Sequence, residues 1–136
     1  MKTRTLPLIA GALFALSFFL PAYAGATGFG CFRFCLELIP KFPSESLLRW
    51  LYYSAFVLTN LAFVVILALD VARAASHKTR LVVSVIAFLH VLSWLSVTLS
   101  EGDFHSLQIG YFLWLLAYAL LLASQLVAAR KPAATA

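Results

Sequence analysis

The sequence predicts an all-α integral membrane protein, a four-helix transmembrane bundle with one short apolar external interfacial segment. The count falls to three helices if residues 1–24 are a cleaved signal peptide. Three observations predict this class. The 136 residues are 63% hydrophobic and only 11% charged, whereas a water-soluble domain carries about 25% charged residues; with a mean hydropathy of +0.97, the surplus apolar surface must face lipid. Four apolar stretches, residues 6–23, 47–69, 81–99 and 107–127, are long enough at about 1.5 Å per residue to cross, or nearly cross, a hydrocarbon core of about 30 Å. The third observation is the charge in the gaps between them.

Lys2, Arg4, Arg73, Lys78, Arg80, Arg130 and Lys131, opposed only by Asp70, fall at the N-terminus, in residues 70–80 and in the tail 128–136, and leave a net +6 there. Arg33, Lys41 and Arg49 against Glu37, Glu45, Glu101 and Asp103 leave −1 in the other connections. The positive-inside rule puts the first group in the cytoplasm. Both encoded termini are then expected inside a bacterial-type cytoplasmic (inner) membrane, with the cysteine-containing loop 25–46 and the turn 100–106 outside. The formal net charge of +5 thus reports topology. No long basic cluster, RNA-binding pattern or zinc-finger spacing points to nucleic acid.

The first stretch, residues 6–23, has two readings. A basic start, an apolar run, Pro21 and the small-x-small Ala22-Tyr23-Ala24 before Gly25 together have the form of a secretory signal. Retention as a first transmembrane helix is the reading adopted, because a chain with three later spans needs no removable leader.

The loop 25–46 is too greasy for a solvated connector, with Phe29, Phe32, Phe34, Leu36, Leu38, Ile39 and Phe42. Alternation of Phe32, Phe34, Leu36 and Leu38 with polar neighbours fits a strand, and the same residues fit a short helix lying in the interface. The helix is favoured, since a lone strand leaves backbone groups unpaired near lipid. Pro40 and Pro43 end it, and Ser44 is positioned to cap the next helix. The only cysteines, Cys31 and Cys35, face an oxidising compartment on this topology, where a local disulfide is one reading and two buried thiols another. A third is a redox pair exchanging electrons with a quinone. Against it stand the C-x-x-x-C spacing and the lack of a second pair to relay electrons.

Within the spans the informative positions are polar ones. Asn60, His90 and Tyr118 fall at similar depth, and helical spacing extends them into stripes: Arg49, Tyr53 and Asn60; His90, Ser93, Val97 and Ser100; Tyr111, Trp114, Tyr118 and Gln125. These faces are expected to meet, because an unpaired amide or imidazole in hydrocarbon costs several kcal/mol. Asn60, His90, Ser93 and Tyr118 would form an intramembrane polar cluster, either as packing glue at about 0.6 kcal/mol per hydrogen bond or as a site, His90 being the only ionisable group deep in the bilayer. Nearer the outside, Arg49, Tyr53, Ser93, Ser100, Tyr111 and Trp114 are placed to line a pocket under the greasy loop, suited to a lipid head group, a quinone ring or a partner's helix. An aromatic belt accounts for Trp50 and Tyr52, but Trp114 and Tyr118 are too deep for one.

A bis-histidine haem needs a second imidazole at the depth of His90, and His77 and His105 lie in connections, so only a homodimer would supply it. Glu101, Asp103 and His105 read as a solvated turn rather than a metal site. No cofactor is assigned, and no catalytic residue either, for no triad or nucleotide loop is present. Gly11 with Ala15 and Ala119 with Ala123 have the small-x-x-x-small spacing that lets helices pair, so a homo-oligomer or a membrane-protein partner is open. The expected role is a non-catalytic accessory, sensory or partner- and lipid-binding component, with a thiol/quinone redox protein and a pore or transport component as alternatives.

Overall fold

A computed structural model describes residues 5–41, 46–72 and 76–129. Helix α1 (Thr5–Ser17) leads into a hairpin of β1 (Pro21–Tyr23) and β2 (Ala26–Thr27). Then come α2 (Gly28–Leu38), a 3₁₀ turn (Ile39–Lys41), α3 (Leu47–Ala72), α4 (His77–Ser100), a second 3₁₀ turn (Phe104–Ser106) and α5 (Ile109–Ala129). Helices α3, α4 and α5, of 26, 24 and 21 residues, are long and apolar enough to cross a membrane. They hold no proline, and their one glycine is Gly110 in the first turn of α5, so nothing interrupts their hydrogen-bond ladders. Leu48, Leu58 and Ile86 stand exposed on their outer faces, as an apolar surround demands.

The stretch expected to span as residues 6–23 does not form one helix. Helix α1 stops at Ser17, whose hydroxyl donates to the Phe14 carbonyl at 2.6 Å. The Phe18 and Phe19 amides fold back onto Ala15 and Leu16, and Pro21, lacking an N–H, opens β1. Its 13 residues rise about 20 Å, short of a core of about 30 Å. The signal-peptidase-like Ala22-Tyr23-Ala24-Gly25 is a hairpin turn in this fold. Ala24 (φ 47°) and Gly25 (φ 84°) both take positive φ between the paired strands, as a type I′ turn requires.

Although short, α1 packs along α5 and against α3. Ala10 is fully buried, and Phe14 stacks on Phe63 with centroids 4.1 Å apart. Phe63, Ile66, Val91, Ala117, Tyr118 and Leu121 complete that core. The inner face of α4 is Ser84, Ala87, Val91 and Thr98, small enough to admit Tyr111 and Tyr118 of α5. The expected stripe of His90, Ser93, Val97 and Ser100 is therefore about one residue, some 100° of helix, out of phase with the buried face.

One end of the bundle is closed by a cap. The hairpin docks on the start of α5, with Ala24 N–H donating to Ser106 at 2.8 Å and Gln108 N–H to Ala22 at 3.0 Å. Gly110 permits the approach, since a Cβ there would lie 2.7 Å from the Leu20 and Pro21 carbonyl oxygens. The helix favoured for the greasy loop is α2, capped by Thr27, whose hydroxyl accepts from Gly30 N–H at 3.2 Å. It lies over α3, where Phe34 meets Tyr53 edge to face at 5.8 Å. Ser44 and Pro43 lie outside the described residues. The cap of α3 within them is Ser46, whose Oγ accepts from Arg49 N–H at 3.3 Å. At the other end Arg80 pairs with Asp70 at 2.8 Å and His77 Nε2 donates to the Gln125 carbonyl at 2.8 Å. The remaining basic residues singled out at that end, Lys2, Arg4, Arg73, Arg130 and Lys131, lie outside the described residues, Lys78 excepted.

Candidate functional site

Beneath the cap lies a cavity of about 470 Å³. Its roof is α2, which contributes Cys31, Phe32, Phe34 and Cys35; its walls are Tyr53, Trp94 and Tyr111; its floor is Phe56, Asn60 and Trp114; and Tyr23 and Glu101 stand at its rim. The size falls in the range of small-molecule sites, about 300–1,000 Å³. The lining is mostly aromatic, with a few polar groups.

The floor is rigidly built. Trp114 Nε1–H donates to Asn60 Oδ1 at 3.0 Å, and Asn60 Nδ2 donates back to the Phe56 carbonyl at 2.7 Å. The amide thus satisfies both ends, which an apolar interior demands of it. The Phe56 ring lies 5.8 Å from Trp114 and 6.0 Å from Trp94. Below, Tyr118 donates to the Thr59 carbonyl at 3.0 Å and packs on Trp114 at 5.4 Å, so the cavity ends on the bundle core. On the wall, Tyr111 donates to the Val91 carbonyl at 3.1 Å.

The polar residues expected to meet as one cluster are divided. Asn60 and Tyr118 face the interior but bond to Trp114 and to the Thr59 backbone. Ser93 accepts from Tyr52 at 2.9 Å while donating to the His90 carbonyl. His90 is half-buried against Phe56, centroids 4.2 Å apart, and Tyr52 at 5.2 Å, and its Nε2 has no hydrogen-bond partner among the described residues. The one-residue phase difference on α4 is the cause: Val91, fully buried, holds the interior place expected of His90.

Of the pocket residues read from the sequence, Tyr53, Tyr111 and Trp114 line the cavity. Arg49 is exposed and sits over the Tyr53 ring, 5.8 Å from its centroid. Ser100 is exposed and bonds its own helix at Val97. The sequence reading put the greasy loop over this pocket without naming which of its residues line it, and it missed Phe56, Trp94, Glu101 and the hairpin. Trp94, one helical turn from His90 and so near its depth, carries a signal for the interior.

Cys31 and Cys35 are free thiols, the first half-buried and the second buried. Burial pushes the Cys35 thiol up to about 11, with the Cys31 charge adding to it, and burial also raises Cys31. Both are therefore protonated at neutral pH. At the rim, Tyr23 donates to Asp103 Oδ2, and Ser106 Oγ donates to Oδ1 at 2.6 Å. The bond to Asp103, with burial, raises the Tyr23 phenol to about 12. The hydrogen bonds from Ser106 and Tyr23 hold the Asp103 carboxyl below its ordinary value. This carboxylate is committed to the cap, and among the described residues no group of three or more His, Cys, Asp or Glu is placed to hold a metal ion.

The sequence matches no protein-family model, and neither curated proteins nor solved structures show significant similarity to the chain.

Proposed function

We propose that this chain is a multi-pass membrane protein that holds a membrane-resident lipid, by its ring or head group, in the cavity beneath α2, without covalent chemistry. In this reading α3, α4 and α5 span the bilayer, α1 is retained as a short fourth helix, and the basic end faces the cytoplasm of a bacterial-type inner membrane. The cap then faces outward. The observation that carries the proposal is the aromatic-lined cavity of about 470 Å³ at the capped end. Flat aromatic walls suit a planar ring or an alkyl chain, and the thiols, Tyr53 and Glu101 offer polar contacts at its edge. Packing supports the retained α1, because Ala10 and Phe14 fill core space that removal of the segment would leave empty.

Trp94 and Trp114 line the cavity and Trp50 does not, which makes intrinsic fluorescence a direct test. In lipid nanodiscs a short-chain quinone should quench the protein saturably, and most of that quenching should vanish in Trp94→Phe/Trp114→Phe. A bulky residue at Gly30, whose Cβ would meet nothing closer than 3.5 Å, should block it: Gly30→Phe retains the fold and loses saturation. Quenching that is linear in quinone, or equal in the two variants, sinks the reading.

A thiol/quinone redox role is the second reading, favoured by both thiols lining this cavity. Their protonation at neutral pH weighs against it, since the thiolate is the reactive form. A transport role is opposed by the floor, where Phe63, Tyr118 and Leu121 are essentially fully buried directly below the cavity.

A further inference from the structure

Cys31 and Cys35 share a face of α2, four residues apart, and both line the cavity. Helical neighbours at this spacing hold their Cβ atoms about 5–6 Å apart. A disulfide needs them at about 3.8 Å, so closing one would require the first turns of α2 to deform. Those turns are pinned: Thr27 caps them, and the Gly28 and Phe29 amides are bonded to the Leu20 and Phe18 carbonyls at 3.0 and 2.9 Å. A metal ion between two thiolates asks for less, because two metal–sulfur bonds of about 2.3 Å separate the sulfurs by roughly 4.6 Å. Side-chain rotation alone spans that distance.

The surroundings select the ion. Zinc in a closed structural site takes four donors, and among the described residues not even three His, Cys, Asp or Glu come together. Calcium and magnesium need a cage of oxygens. Thiolate is a soft ligand that selects Cu(I), a closed-shell ion content with two sulfurs in line. Phe32, Tyr53, Phe56 and Trp94 pack about Cys35, and Tyr23, Tyr111 and Trp94 belong to the cluster about Cys31, rings that keep out competing water and present π-faces to a cation.

We infer that Cys31 and Cys35 form a two-coordinate thiolate clamp for Cu(I) in the roof of the cavity. The thiols need not ionise beforehand, because the metal displaces their protons: on binding, two S–H bonds break and two S–Cu bonds form, both protons pass to solvent, and no electron is transferred. The clamp shares the cavity with the proposed lipid but does not depend on it.

Full-length protein in nanodiscs, reduced and metal-free, is titrated with Cu(I) against a chromophoric Cu(I) chelator, with Ag(I) as a redox-inert second probe and Zn(II) as the control. One Cu(I) per chain is expected, with two sulfur neighbours by X-ray absorption and no comparable Zn(II) binding. Partners that merely support a ligand contribute about 10- to 100-fold in metal affinity, so Cys31→Ser or Cys35→Ser alone should weaken binding by about 100-fold or more. The variant Cys35→Ser/Leu36→Cys keeps two thiols on the same helix at an exposed neighbouring position but turns one about 100° away, and it should behave like the single variants. Undiminished binding in that shifted variant, nitrogen or oxygen in the copper shell, or no competition with the chelator would overturn the clamp. Complete disulfide formation in native membranes, read by thiol labelling, would also overturn it. Quinone quenching is measured on metal-free protein, so the two proposals fail separately.

Discussion

The two ends of the bundle are built on different principles. At the basic end side chains tie the helices together: Arg80 and Asp70 pair with side chains only 12% and 16% exposed, His77 joins α4 to α5, the core about Ala10, Phe63 and Leu121 is buried, and the apolar space left between α3 and α4 beside Arg80 is smaller, about 280 Å³. At the capped end the chain leaves regular helix. A hairpin, an 11-residue helix and two 3₁₀ turns bridge the helices without filling the space between them, and the cavity is what remains. Lipid offers no hydrophobic drive between helices, so a membrane bundle depends on tight packing. The dense half provides that packing, and the looser half is thereby free to hold a ligand.

Disturbing the joint between the halves should have the largest effect. In Gly110→Val the new Cβ falls 2.7 Å from two backbone carbonyls, which cannot move without freeing the hairpin. The expected loss is about 3 kcal/mol, at the upper end of overpacking, with the cap amides losing hydrogen-exchange protection before α3 to α5. Simultaneous loss of protection in both regions would show that the cap and bundle are one unit.

Phe63→Ala against Phe34→Ala sharpens the contrast. Phe63 is fully buried and Phe34 is 45% exposed. With lipid outside, only the cavity term of the truncation counts, and roughly 100 Å³ at about 24 cal/mol/Å³ gives about 2 kcal/mol for Phe63. The change at Phe34 should remain below about 0.5 kcal/mol. Chemical unfolding in mixed micelles measures both, and equal losses would refute the distinction.

The dense half was legible in the sequence and the cap was not. Long apolar runs without proline, and with no glycine but Gly110 at the start of α5, specify α3, α4 and α5, because in lipid only helix or barrel satisfies the backbone. Asn60 and Tyr118 could be assigned to the interior for the same reason. The phase of α4 could not, since His90 and Val91 differ by 100° and only the bulk of Tyr111 and Tyr118 opposite decides which turns in. The cap depends on contacts far apart in sequence, such as Tyr23 with Asp103 and Gly110 with Leu20, and no local pattern announces them. The run of Pro21 to Gly25 carries a turn signal and a cleavage-site signal in the same five residues.

The latch between Tyr23 and Asp103 makes the cap sensitive to pH. Asp103 is held below its ordinary value, so its contribution is present above the usual carboxylate range and is lost as pH falls through the lowered value, below about pH 4. Tyr23 is raised from 10.0 to about 12, so its contribution is complete below pH 10 and disappears between 10 and 12. Exchange of the Ala24 and Gln108 amides should accelerate, relative to α3 to α5, in both windows. In Tyr23→Phe the alkaline change should be absent. Within the same cap, Ala24 has φ 47°, a conformation costing a non-glycine residue about 1 kcal/mol or more. Ala24→Gly should therefore stabilise the cap by about 0.5–1 kcal/mol, raising protection there alone.

The smallest effect tests the floor, where the two halves meet. Among the described residues, the bond from Trp114 to Asn60 joins α5 to α3 side chain to side chain at the base of the cavity, beside the bond from Tyr118 to the Thr59 carbonyl. Trp114→Phe removes the donor and keeps most of the ring, leaving Asn60 Oδ1 unpaired while Nδ2 still holds the Phe56 carbonyl. Interhelical bonds of this kind average about 0.6 kcal/mol, so the loss should be near that value. A double-mutant cycle with Asn60→Leu should recover about the same coupling. Coupling of that size means the floor belongs to the adaptable half and can yield to a ligand. A coupling near 2 kcal/mol would instead place Asn60 and Trp114 within the packed core, and the cavity would then begin above them, with a smaller volume and a roof of α2 as its main binding surface.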